Sequence, residues 1–491
     1  MRNLIKNTFL LLAFSTSAFA IDSGSLDTSF SNDVNSPGWD LNAPSGGGEF
    51  TTDTVIDTQG RVLVAGEYRA QGATDYNPIV RRYLKNGQLD TTFSDNGTFL
   101  WPIAYGWSKV QIGLTTEDDN IFFLAFETGT DNKDVNVVMI DSSTTQGYLN
   151  GVELISFDLG SAADRKDDFL ADMLVTTVPT TYQGSVVLAL EVERTNANDT
   201  DFGIAKINYD IASPSLALDT SFSSDGLANC YFDQNSTGYG EDKATSIHET
   251  WHGGYIVGGS TFEGNGDDSN GWNASFCEFN LSGGLVKRWS TLNPNAQVDS
   301  REFLADIAVS SDTASGGEYM LALTKEPEIV FSNDYDFVVR KYLYNNGNWD
   351  LDTSFGTNGK SRIGFVDGYL FPSDTSDEPV AILVEDKNSQ ILVAGTSQWF
   401  DTNNDLNSHM ALAKLNADGS LNSSWGTSQN GKAYVTLDNS SPTVFRDTLT
   451  TISEDKNSEK IYIGGNNIQA GNQLYSSISR VHNDLIFKSG F

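Results

Sequence analysis

Short apolar runs of roughly five residues recur along this chain, each bounded by clusters of Gly, Asn, Asp, Ser or Pro. Val380–Val384, Gln390–Ala394 and Met410–Leu415 are three such runs, and a shorter one around Ser361–Phe365 precedes them. Their length and their bounding turn residues predict β-strands. A tight turn at Glu385–Ser389 and long polar loops over Gly364–Pro379 and Thr396–His409 separate them. The third run of this set recurs as Arg61–Gly66, Asn120–Phe126, Ser185–Leu190, Tyr255–Gly259, Glu318–Leu323 and Lys460–Gly465. The fourth recurs as Ile79–Leu84, Val135–Ile140, Phe202–Ile207, Ala274–Phe279, Phe337–Leu343 and Ser477–His482. Long stretches with helical periodicity are absent from the pattern.

One motif punctuates these runs. LDTSF starts at Leu26, Leu218 and Leu351, LDTTF at Leu89, and a looser LNSSW at Leu421. LVKRW from Leu285 and LNGVE from Leu149 are degenerate copies, so repeats begin near residues 26, 89, 149, 218, 285, 351 and 421. A fixed period of this length marks a repeat architecture. Four antiparallel strands repeated seven times predict an all-β fold, a seven-bladed β-propeller of four-stranded antiparallel blades, with residues 21–491 as a single domain. Within the motif, Asp and Ser or Thr suit hydrogen bonds to their own backbone in a turn between blades. Its Leu and its aromatic are expected to turn inward, and the Gly that often follows supplies an unusual backbone angle. The motif is thus assigned a structural role. The segment near Trp39 is expected to complete the blade containing Lys460–Gly465, which removes two open sheet edges.

The stretch from Asp57 to Gly66, and Asp336–Tyr342 leading to Leu351, carry a further signal. Their order of motif, hairpin and DFxxxRY-like strand resembles the delta-60 repeat family of exported bacterial proteins. The resemblance runs from Leu26 almost to the end of the chain. It implies a propeller and brings no catalytic residues with it.

Composition narrows the function classes. Arg2 and Lys6, the apolar run Phe9–Phe14 and Ala18-Phe19-Ala20 read as a secretory signal over residues 1–20. The expected destination is therefore periplasmic, cell-surface or extracellular. A net charge of −35, from 65 acidic and 30 basic residues, argues against nucleic acid and anionic membrane surfaces as partners. It permits a cation or a basic group. No further stretch is apolar enough for a membrane span, and short strands grouped in fours argue against an outer-membrane barrel. Cys230 and Cys277 fall in the first and fourth strands of one repeat. If the first strand closes the preceding blade they lie in different blades, so free buried thiols are the expectation.

Candidate chemistry is sparse. His248-Glu249-Thr250-Trp251-His252 matches the letters of the HExxH zinc motif. That motif needs a helix to put both imidazoles on one face, whereas this copy falls on a strand and its turn. Loops between third and fourth strands carry Asp and Asn alternations, including Asp131, Asp134, Asp401, Asn403 and Asp405. Such oxygen sets suit calcium, although none completes a full calcium loop, and solvated turns explain them more simply. Asp53, Asp172 and Asp306 recur near the start of the second strand and would meet around one mouth of the channel if that strand lines it. Capping of their own strands is the simpler role. Trp272 and Trp399 fall in variable loops as candidate contact residues. The long, unequal third-to-fourth-strand loops make that face the expected ligand face. The leading reading is an exported, non-catalytic binding or scaffold propeller for a protein, glycan or cation. The alternative is a glycan-active hydrolase or lyase using acidic loop residues at the channel mouth.

Overall fold

The computed structural model describes residues 20–487 apart from 22, 32–35, 43–46, 107–108, 130–131, 144–147, 158, 160–165, 195–198, 233–239, 263–270, 292–300, 312–316, 328–333, 366–375, 386–388, 401–405, 427, 429, 438–445, 470–472 and 484–485. The chain is all-β and forms a β-propeller. Its first sheet runs Gly48–Ile56, Val62–Arg69, Asn77–Tyr83 and Thr98–Leu100 in spatial as well as chain order. The second covers Val110–Ile155, the third Asp168–Cys230 and the fourth Asp242–Ser290, each antiparallel and built in the same order. A nine-stranded sheet follows, with antiparallel halves over Phe303–Ile363 and Ser376–Val435 that are joined, among the described residues, through the parallel pair Tyr335↔Ser376. The closing sheet takes Asp447–Asp455, Lys460–Gln469 and Gln473–His482 from the C-terminal end and Trp39–Asn42 from the N-terminal end.

That last pairing closes the ring. Trp39 lies opposite Ser479 and Asn42 opposite Ser476, as the sequence predicts. The first strands of successive sheets touch one another in turn, and Asp447–Asp455 comes back against Gly48–Ile56. These strands therefore surround the central channel.

Period-two alternation builds the core between sheets. On Val62–Arg69, Leu63 and Ala65 face the second sheet beside Phe122 and Leu124, while Val62 and Val64 face the closing sheet beside Tyr462 and Ile478. The same division on Ile121–Thr128 sends Phe123 and Ala125 toward the third sheet. Both faces of these two middle strands are thus apolar, as packing of sheet on sheet requires.

The LDTSF motif interrupts the outermost strand of a sheet, so it is not a plain link from blade to blade. Leu218 and Leu227 flank one copy and pair with Ile207 and Ala205 of the same neighbouring strand. In five copies the motif Asp or Asn accepts both the N–H and the hydroxyl of the Ser or Thr two places on. The aromatics Phe30, Phe93, Phe222, Phe355 and Trp425 are buried. Their carbonyls accept the N–H of Gly38, Gly97, Gly226, Gly359 and Gly431, all at positive φ. The Leu does not always turn inward, since Leu351 stays 39% exposed.

Cys230 and Cys277 form a disulfide with a Cα separation of 6.4 Å, which corrects the expectation of free thiols. They do lie in different sheets, the third and fourth. Those sheets pack face to face around Phe202, Val257 and the two cysteines, and that contact brings the Cα atoms within bridging range.

Candidate functional site

The site grows from an irregularity repeated in the first strands. Antiparallel pairing shifts register between Thr51 and Asp53, Leu170 and Asp172, Ala244 and Ser246, and Leu304 and Asp306. The same shift separates Pro379 from Ala381 and Leu449 from Thr451. A β-bulge of this kind re-aims one side chain and leaves backbone groups without a ladder partner. Asp53, Asp172, Ser246, Asp306, Ala381 and Thr451 therefore occupy equivalent positions around the channel, midway along their strands rather than at a mouth.

Each of the three aspartates spans two sheets. Asp53 Oδ2 accepts the Ile112 N–H, Asp172 Oδ2 the Ile247 N–H and Asp306 Oδ2 the Ile382 N–H, all at 2.9 Å. The Oδ1 atoms accept the N–H of Thr54, Met173 and Ile307, the capping of their own strands that the sequence suggests. Asp306 Oδ1 also accepts the Ser246 hydroxyl at 2.7 Å. The remaining interfaces are braced from the second strands. Glu127 Oε1, Ser260 Oγ, Thr396 Oγ1 and Asn466 Oδ1 accept the N–H of Leu170, Leu304, Leu449 and Thr51. The two kinds of brace alternate around most of the ring, and every bulge N–H named here is satisfied.

These carboxyls keep partial access to the channel but sit deep within the ring. Desolvation pushes Asp53 and Asp306 up to about 7, and the nearby Asp172 charge adds to the rise in both. Burial raises Asp172 as well, while Lys109, the Ile247 and Met173 N–H groups and His248 oppose it. Lys109 Nζ donates to the Ala171 carbonyl beside Asp172. Burial lowers His248, against its bond to the Glu249 carbonyl and the charge of Asp172. Three carboxyls, a lysine and a histidine thus share one channel, and two of the carboxyls, Asp53 and Asp306, are poised near neutral pH. Sequence reasoning found the aspartates. It missed Lys109 and Ser246, which carry no motif, and discarded His248 together with HExxH.

The structure places the other candidates elsewhere. Trp272 is buried against Phe262 and Phe303 with Lys243 over its ring, and Trp399 is buried against His409. Both are packing residues rather than exposed contacts. Asp131, Asp401, Asn403 and Asp405 lie outside the described residues, so the calcium loops have no structural account. Asp134 is described and accepts the Asn132 side-chain amide. His248 sits on a strand and His252 beyond its end, which separates their roles. His252 Nε2 and Nδ1 each contact a carboxylate at 2.6 Å, Glu278 of the fourth sheet and Glu318 of the next. Its ring stacks on Tyr344 at 3.8 Å; burial lowers its pKa, but the hydrogen bonds it donates to both glutamates outweigh this and raise it.

Residues 60–93 and 388–424 match a family model described as a domain of unknown function (DUF5122) beta-propeller. No curated protein matches the sequence. Among solved structures, the chain is similar to the α-L-arabinofuranosidase Arb93A from Fusarium graminearum, at 11% identity over 90% of this chain and 96% of that one, with a TM-score of 0.39. It is similar to a polysaccharide lyase, the PL25 ulvan lyase, at 12% identity over 75% and 79% of the two chains, with a TM-score of 0.42. It is also similar to a Penicillium chrysogenum α-L-arabinanase, at 9% identity over 95% and 100%, with a TM-score of 0.39. Likeness at this level speaks to fold alone. The expected non-catalytic scaffold finds no counterpart among these three, which are an arabinofuranosidase, an arabinanase and a polysaccharide lyase, and it is not carried further.

Proposed function

We propose that the chain is a glycan-active hydrolase or lyase whose reaction takes place in the central channel. The propeller is counted as seven-bladed, because the nine-stranded sheet divides at its single parallel bridge into two antiparallel units like the others. The delta-60 assignment rests on Asp57–Gly66 and Asp336–Leu351. Export is supported by the signal-like residues 1–20 and by the Cys230–Cys277 bridge, which suits an oxidising compartment.

One observation carries the functional reading. Asp53, Asp172 and Asp306 occupy equivalent channel positions, where burial raises all three and carries Asp53 and Asp306 to about 7. Glycosidic cleavage requires an acid to protonate the leaving oxygen and a carboxylate or base on the other side. Asp53 and Asp306, at about 7, hold a transferable proton where ordinary carboxyls hold none. Asp172, beside Lys109 and His248, is the group best supported as the ionised partner. Each Oδ2 spends one lone pair on a backbone N–H of the neighbouring sheet and has a second for a substrate proton.

Product chemistry tests this. Purified protein is incubated with neutral and uronate-bearing polysaccharides across mildly acidic to mildly basic pH. Hydrolysis releases a new reducing end without a chromophore, whereas elimination leaves an unsaturated uronate that absorbs in the ultraviolet. No cleavage of any member of the panel would remove the proposal.

A further inference from the structure

A second site is carried by the seam where the two ends of the chain meet, and it is independent of the channel reading. A cavity of about 470 Å³ opens there on the LDTSF face, between the closing sheet and the first. Its wall combines the motif residues Asp27–Ser29 with Asp455, Lys460, Tyr462, Arg480 and His482, and the first sheet adds Lys85.

The repeat supplies an internal comparison. In the first sheet the equivalent groups are Asp57, Arg61, Arg82 and Asp90, and the second sheet adds Asp119. Arg61 contacts all three aspartates within 4.0 Å, and Thr58 and Gln59 also bond to Asp119. Two cations there face three carboxylates, so that cluster is negative like the rest of the chain. At the seam the sign reverses. Among the described residues lining it, Lys85, Lys460 and Arg480 face Asp27 and Asp455, three cations against two carboxylates. Lys460 and Arg480 contact Asp27 at 3.0 and 2.9 Å, and His482 approaches it at 3.6 Å. Asp455 is buried and turned onto Ser458 and the Asn457 N–H. Lys85 is exposed and lies over Gly60, where the neighbouring sheet contributes no acid of the Asp119 kind.

We infer that this cavity binds a small oxyanion, a sulfate or carboxylate that is either free or borne on a sugar. Donors converge on it from three segments, the Tyr462 and Ser29 hydroxyls and Arg480 already share one network, and Lys85 supplies the unmatched charge. In a chain of net charge −35, a positive pocket draws an anion only through local geometry, since the overall field opposes it.

Calorimetry on the full chain at low ionic strength tests this, with inorganic sulfate and glucuronate as probes. Saturable binding is expected, weakened at least tenfold in Lys85→Glu and unchanged in Lys243→Glu, which alters net charge equally on the fourth sheet. Lys85 is exposed, so its variant should fold, and a thermal melt checks that. Tighter binding of glucuronate assigns a sugar carboxylate, and tighter binding of sulfate assigns a sulfate group. Absence of saturable binding for both probes, or equal loss in the two variants, overturns the site.

Discussion

Asp306 Oδ2 accepts the backbone N–H of Ile382 at 2.9 Å, a bond from one half of the nine-stranded sheet to the other. The Asp306 carboxyl also has a pKa raised to about 7, chiefly by desolvation. A raised carboxyl favours the folded state when protonated. Its contribution is complete below the unfolded value near 4 and is lost as pH rises through about 7. Asp306→Asn removes that titration. Thermal unfolding of parent and variant should show a gap that narrows from pH 4 to pH 8, and a gap constant across that range would count against the assignment.

The motif glycines separate backbone strain from steric conflict. Gly97 has φ 94°, and a Cβ there would lie 2.4 Å from Leu89 Cγ. Gly72 has φ 78° with nothing within 4 Å. Gly97→Ala should therefore destabilise by roughly 1–3 kcal/mol, and Gly72→Ala by clearly less. Denaturant midpoints of the two variants decide it.

The disulfide joins two sheets across 47 residues of sequence. Replacing Cys230 and Cys277 by Ser should lower stability by about 2–4 kcal/mol. Reduction of the parent should reproduce the loss in calorimetry, and an unchanged melting temperature would contradict it.

His252 is held as an imidazolium, because two carboxylates accept at 2.6 Å on its two ring nitrogens. Its raised pKa stabilises the fold fully below the free value near 6.5, and this contribution is lost as pH rises through the folded value. An NMR titration should place its midpoint above that of a free histidine. His252→Gln should flatten the corresponding part of the stability profile.

Much of this was legible in the sequence because it repeats. Strand lengths, the motif and its Gly placed the sheets, and the unpaired segment at Trp39 indicated how the ring closes. The recurrence of Asp53, Asp172 and Asp306 pointed to the channel, but their cross-sheet bonds depend on bulges that leave no local sequence mark. The disulfide was misread because sequence position gives strand membership without the face-to-face approach of neighbouring sheets. Trp272 and Trp399 were misread for a related reason, since a polar run around an aromatic does not tell whether its ring folds inward. The basic seam pocket was invisible because its residues come from both ends of the chain.

The proposal that the channel aspartates cleave a glycan stands or falls on turnover. Its most direct measurement is product release by the parent and by Asp172→Asn on one cleaved polysaccharide, at equal thermal stability. The expected result is measurable turnover in the parent, a loss of roughly a hundredfold or more in the variant, and a fall in turnover as pH rises through about 7, where Asp53 and Asp306 lose the proton they donate. Equal turnover in both proteins would contradict it.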